Sequence, residues 1–270
     1  MTKCIISAPE RSRVAPGSVL ARGPGVAIEL HGGCRGVYPS GMFRIAVVTL
    51  ALASGVVPAA AQQREAFTSY VDPFIGTGGH GHTYPGPSLP FGMIQPGPDT
   101  RLTGWDGCSG YHYTDSRIFG FSHTHLSGTG IPDYADVLLA PITGDVRLNN
   151  GADGKPGYSS AFTHASEVAR PGYYAVTLAD YGVRAELTTT MRAGMHRYGF
   201  PKGKPAHVVL DLDHRDRVTE ASVDIVSSTE VAGVRRSSSW ARDQVVFFVV
   251  RFSRPFDEAP PSSGHEAANR

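Results

Sequence analysis

Two histidine pairs, His80-x-His82 and His123-x-His125, and the run Trp105-Asp-Gly-Cys-Ser-Gly-Tyr-His-Tyr-Thr-Asp115 hold most of the chemistry this chain can offer. Residues i and i+2 of an extended backbone point the same way, so each pair presents two imidazoles that one zinc ion accepts. Against a metal, both pairs sit among Gly, Ser and Thr, where imidazoles serve equally as hydrogen-bond partners. The Trp105–Asp115 run mixes flat rings with carboxylates, an imidazole and hydroxyls. A pyranose has apolar C–H faces and a hydroxyl rim, and a pocket for it needs that mixture. The competing reading has Trp and Tyr covering a sheet edge while Asp106 and Asp115 cap turns. Gly76-Thr-Gly-Gly-His-Gly-His82 lacks the Gly-Lys-Ser/Thr ending of a phosphate loop and no helix follows it.

Five carboxylates lie in the same region: Asp99, Asp106, Asp115, Asp133 and Asp136. Each sits beside Gly, Pro, Ser or Tyr, a context in which capping is the commoner task than acid or base catalysis. Cys108 reads as a small buried group or as a thiol lining a pocket.

These residues must be positioned by something, and the rest of the chain indicates β structure. Short segments rich in β-branched and aromatic residues recur at 174–178, 183–190, 207–212, 222–226, 231–235 and 245–252. Turn signals such as Asp180-Tyr-Gly182 and the run Phe200–Pro205 separate them, and no amphipathic helix of three turns stands out. The pattern predicts an all-β, antiparallel sandwich. The apolar stretch 245–252 reads as a buried central strand. Thirty-two Gly and 20 Pro in 270 residues suit short strands joined by many turns. At 41% hydrophobic and 18% charged, the chain can bury a sizeable core. A net charge of +1 without a Lys/Arg run argues against nucleic acid or an anionic membrane as partner.

Met42 opens a stretch with one cation, Arg44, an apolar run from Ile45 to Val57, and small residues at Ala59 and Ala61. This reads as a secretory signal peptide over 42–61, its apolar run too short to span a bilayer. Residues 1–41 are expected to be an unstructured upstream extension, 62–256 the sandwich, and 257–270 a tail or truncation junction. The mature chain is then exported, to the periplasm or beyond, with no membrane attachment. Cys4 and Cys34 precede the leader, so Cys108 is left without an intrachain partner.

From Tyr70 to Phe256 the sequence resembles the amino-terminal domain of glycoside hydrolase family 92, calcium-dependent exo-acting α-mannosidases. The blocks that carry the resemblance are VDPFIGTGGHGHTYPG (71–86), LPFGMIQPGPDTR (89–101), GWDGCSGYHYTD (104–115), GFSHTHLSGTG (120–130), DYADVLL (133–139), TTTMRAGMHRYGFP (188–201) and SWARDQVVFFVVRFSRPF (239–256). The resemblance implies an inverting enzyme in which a β-sandwich packs on an (α/α)6 barrel, with mannose-containing glycans, α-1,2-linked, as substrates. It places the general acid Glu, the general base Asp and the calcium ligands on the barrel. No catalytic residue and no metal are therefore expected in this chain, which reads as a truncated fragment whose missing partner is that barrel. It also implies that this domain lends residues to the sugar pocket, matching Arg101, Trp105, Asp106, Cys108, Tyr111 and His112. Trp105 is expected as an apolar platform, Asp106 and His112 as hydroxyl contacts, and Cys108 as pocket wall. Two other readings remain: a carbohydrate-binding sandwich that works alone, and a zinc-dependent hydrolase using His80, His82, His123 and His125.

Overall fold

The computed structural model describes residues 3–7 and 66–258 of the chain. Its strands, in chain order, are β1 (Lys3–Ser7), β2 (Gly97–Asp99), β3 (Arg117–Ile118), β4 (Gly120–Ser122), β5 (Leu138–Thr143), β6 (Ser160–Ala161), β7 (Val168–Arg170) and β8 (Tyr173–Leu178). There follow β9 (Val183–Thr189), β10 (Gly194–Gly199), β11 (Ala206–Asp211), β12 (Arg217–Ser227), β13 (Glu230–Ser238), β14 (Gln244–Arg251) and β15 (Asp257–Glu258). Three single turns of 3-10 helix, at Phe67–Tyr70, Trp105–Gly107 and His164–Ser166, are the helical elements among the described residues. No helix there is long and apolar enough to cross a membrane.

Three antiparallel sheets stack in layers. The middle one runs β15-β1-β11-β5-β4-β2, the second β10-β9-β8-β7 and the third β12-β13-β14, while β3 and β6 form a small ribbon. Side-chain alternation sets the layering. Leu138, Ala140 and Ile142 of β5 and Val209 of β11 share one apolar cluster with Tyr174, Val176, Val183, Ala185 and Leu187 of the second sheet. Leu139 of β5 and Val208 and Leu210 of β11 turn the other way and meet Val231, Val223, Val246 and Phe248 of the third. The middle sheet is thus buried on both faces. Each fully buried Leu, Ile or Val contributes about 1.5–3 kcal/mol relative to exposure, so these two clusters hold the layers together.

Two expectations need correction. Residues 3–7, assigned to an unstructured extension, form β1 and pair with β11 from Lys3↔Asp211 to Ser7↔His207. A free edge on β11 and the β-branched Ile5-Ile6 dipeptide account for it. The remainder of 1–41, the leader at 42–61 and the tail beyond Glu258 lie outside the described residues. Second, the strand expected to be central, β14, is an edge strand of the third sheet. Val246, Phe248 and Val250 face the core, but Val245, Phe247 and Val249 face outward, Phe247 being 74% exposed.

Candidate functional site

The chemistry-bearing loops gather where β2, β4 and the Trp105 turn meet. The first is the segment Gly76–Thr83. Gly76 takes a φ of +83°, and a Cβ on Gly81 would stand 2.1 Å from the Gly76 carbonyl oxygen. Only glycine permits a turn that tight. It presents His80 and His82 to one point although the backbone there is not extended, and His82 itself adopts a φ of +56°. Positive φ at a non-glycine residue costs free energy and persists only where surroundings fix it. Here the His82 carbonyl accepts from Gly128 N–H at 2.8 Å, and the Gly79 carbonyl accepts from His112 Nε2 at 3.2 Å.

The second contributor is the turn Trp105–Gly107, entered through Gly104 at φ +91°. The Asp106 carboxylate accepts from His80 Nδ1 at 2.6 Å and from His82 Nε2 at 3.4 Å, both on Oδ1. The hydrogen bond from His80 is the main reason its carboxyl is held below the ordinary value. Trp105 stands edge-on to His82, with ring centroids 5.1 Å apart, and remains 61% exposed. Its indole lies so close over Gly130 that a Cβ there would be 2.2 Å from Cη2. An exposed, seated indole beside a carboxylate and an imidazole is a flat apolar surface with polar groups at its rim.

Other members of the predicted set lie behind this lip. Cys108 is buried, donates from Sγ to the Thr129 carbonyl, and has its thiol pKa pushed up by burial, so it is an inert wall. His112 is buried too; Nδ1 accepts from Thr114 Oγ1 at 2.8 Å while Nε2 holds Gly79. It supports the histidine loop and has no ring nitrogen left for a sugar hydroxyl. Arg101 is half-buried and directs Nε to both oxygens of Asp115, at 3.1 and 3.0 Å. Tyr111 does not belong to the lip. It is 1% exposed within the core, and its hydroxyl donates to buried Glu167 at 3.1 Å, an arrangement that raises its pKa through burial and the Glu167 charge.

The four histidines do not converge. His125 is buried with Nδ1 donating to the Gln95 carbonyl at 2.7 Å and Nε2 at 3.1 Å from Asp99. His123 stacks on His196 at 4.7 Å and donates from Nδ1 to the Val137 carbonyl. These are structural tethers, so a four-histidine zinc hydrolase is not assembled. Nor do the carboxylates form an acid and base pair. Burial alone would raise Asp99, but His125 and His214 hold it well below the usual carboxylate range. Asp115 is held by Arg101, Asp133 caps Tyr134 N and Ala241 N, and Asp136 pairs with buried Arg235. The convergence of Asp106 with His80 and His82, 24 or more positions away, was not readable from spacing. A cleft of about 770 Å³ elsewhere is lined by Arg117, Asp145, Arg147, Lys155, Asp180 and Lys204 and shares no residue with the lip.

A layered antiparallel sandwich that raises an aromatic and polar lip on its loops defines the class of protein. Residues 70–269 match the glycosyl hydrolase family 92 N-terminal domain, and the chain belongs to that family. A secreted glycosidase of Arthroderma benhamiae, itself uncharacterized, is 34% identical over 179 residues, covering 63% of this chain and 23% of its own length. Among solved structures, the family α-mannosidase BT3965 of Bacteroides thetaiotaomicron, in complex with mannoimidazole, superposes with a TM-score of 0.68 at 41% identity. That match covers 71% of this chain and 26% of BT3965. The inverting mannosidase BT2199 of the same species gives a TM-score of 0.59 at 29% identity, covering 70% and 25%. The chain therefore spans about a quarter of the length of the relatives it matches.

Proposed function

We propose that this chain is the substrate-recognising amino-terminal domain of an exported, inverting α-mannosidase that removes terminal α-1,2-linked mannose. The observation that carries the reading is the exposed Trp105 indole, seated against Gly130, edge-on to His82 and next in the chain to Asp106. In this reading the indole stacks on the apolar face of a mannose ring, and the Asp106 carboxylate accepts from its hydroxyls. Cys108, His112 and Arg101 hold the loops beneath. Inverting hydrolysis needs a carboxylic acid and a carboxylate roughly 6.5–9.5 Å apart. The five loop carboxylates Asp99, Asp106, Asp115, Asp133 and Asp136 are each engaged internally, so in this reading that pair comes from a further domain.

Calcium, which the family resemblance implies, takes six to eight oxygen ligands. Among the described residues the side chains that converge are two imidazoles and one carboxylate, so calcium does not fit here.

The reading is tested by titrating α-1,2-mannobiose into the full chain and following tryptophan fluorescence and released mannose. Saturable binding is expected, without cleavage, and Trp105→Ala should weaken it at least tenfold, or about 1.4 kcal/mol. Cleavage by the chain unaided, or binding indifferent to Trp105→Ala, would defeat the proposal.

A further inference from the structure

We propose that His80, His82 and Asp106 form a binding site for a zinc-class divalent ion at the lip. The donor set is the first argument. Two imidazole nitrogens and one carboxylate oxygen from these residues all lie within 4.8 Å of one another. Three protein ligands with a fourth position open is the usual make-up of a non-structural zinc site, and imidazole suits zinc where calcium prefers oxygen. Tetrahedral bonds of about 2.0–2.1 Å put neighbouring ligand atoms ~3.4 Å apart. The His82 to Asp106 pair already has that spacing, at 3.4 Å. The His80 to Asp106 pair, at 2.6 Å, must open by roughly 0.8 Å to reach it. The His80 side chain is 80% exposed and free to swing by that amount.

The second argument is that the backbone is built for the convergence. His82 occupies positive φ, next to a glycine that no other residue could replace, on a loop fixed through Gly128 and His112. An isolated His–Asp hydrogen bond on a surface loop needs none of this. Burial is graded in the sense an ion would use. His82 is nearly enclosed, Asp106 is partly open, and His80 faces solvent, so there is both a fixed base and an entry path. A bound ion would tie the Gly76–Thr83 loop to the Trp105 turn, with a fourth ligand supplied by water or a hydroxyl. The assignment does not depend on the mannoside reading, and it revises the expectation that this chain holds no metal.

The test uses the untagged full chain, stripped with a chelator and titrated with zinc alone by calorimetry, then with cobalt(II) to read ligand-field absorption. About one zinc per chain is expected. His80→Ala, at a side chain that is 80% exposed, should lower affinity at least tenfold, and so should the near-isosteric Asp106→Asn, with unchanged circular dichroism. Excess calcium should not displace the zinc. Failure of the parent chain to bind zinc, equal binding by parent and both variants, or displacement by calcium would overturn the site and leave only a hydrogen-bonded His–Asp–His cluster.

Discussion

Trp105 owes its position to a residue that has no side chain. A Cβ on Gly130 would come 2.2 Å from the indole Cη2, and the indole, being mostly exposed, is the group that would yield. Gly130→Ala is therefore expected to cost less than about 1 kcal/mol of stability, as surface changes usually do. It should still weaken mannoside binding several-fold by tilting the platform, a split read by thermal unfolding beside a fluorescence titration. Equal losses of stability and binding would mean that Gly130 matters for packing alone. At this scale the sequence was partly legible. The mixture of ring, carboxylate and imidazole singled out the Trp105 turn, and the indole there does stand exposed next to Asp106, because composition reports what a loop can contact. It could not say which residues face outward. Gly110, at φ +82°, redirects the chain so that Tyr111 enters the core, and the Gly76–Thr83 turn brings His80 and His82 to a carboxylate far along the chain. Both outcomes depend on glycine dihedrals and long-range packing, which spacing does not encode.

Among the elements, β13 carries the charge that joins two layers. Arg235 is 1% exposed, pairs with Asp136, and donates from Nε to the Leu212 carbonyl at 2.8 Å and from Nη1 to Ser237 Oγ at 2.8 Å. Asp136 also accepts from Thr124 Oγ1 at 2.7 Å, on the loop between β4 and β5. Removing one member of such a buried pair leaves the other uncompensated, so Arg235→Met should cost about 3–5 kcal/mol. The Arg235→Met, Asp136→Asn double variant should recover part of this in chemical denaturation, and strict additivity would show that the two side chains act separately. The edge strand β14 supports a different expectation. Val245, Phe247 and Val249 make an outward apolar row along an edge that is unpaired among the described residues, a template for association. Phe247→Lys should shift the chain toward monomer in analytical ultracentrifugation, at little cost in stability. The alternation of β14 was visible in sequence only as a continuous apolar run, which is why it read as central. The segments rich in β-branched and aromatic residues do not include β5, Leu138–Thr143, a fully buried strand with Pro141 inside it. Its pairing to β4 stops at Phe121↔Leu139, so the missing N–H is tolerated two residues on.

For the molecule as a whole, the sandwich was legible and its third layer was not, since strand patterns report alternation but not which faces meet. The joint between the middle and third sheets contains the group that should set the pH response of the unit. Asp216, between β11 and β12, has its carboxyl pushed up from an ordinary 3.8 to about 7, first by burial and then by the neighbouring Asp133 carboxylate, with Arg235 and Arg215 opposing. Folding thus strengthens proton binding at Asp216. Its contribution is fully present below about pH 4, where both states are protonated, and is lost as pH rises through 7. Carboxylates held low in the native state, Asp99 above all, act in the opposite sense at lower pH, so the informative quantity is the difference between parent and variant. Asp216→Asn mimics the protonated form, and asparagine accepts the φ of +62° found at this position. The variant should match the parent near pH 4 and gain on it steadily toward pH 8 in unfolding midpoint. Parallel curves across that window would show that Asp216 titrates normally and that the joint between the layers is indifferent to its charge.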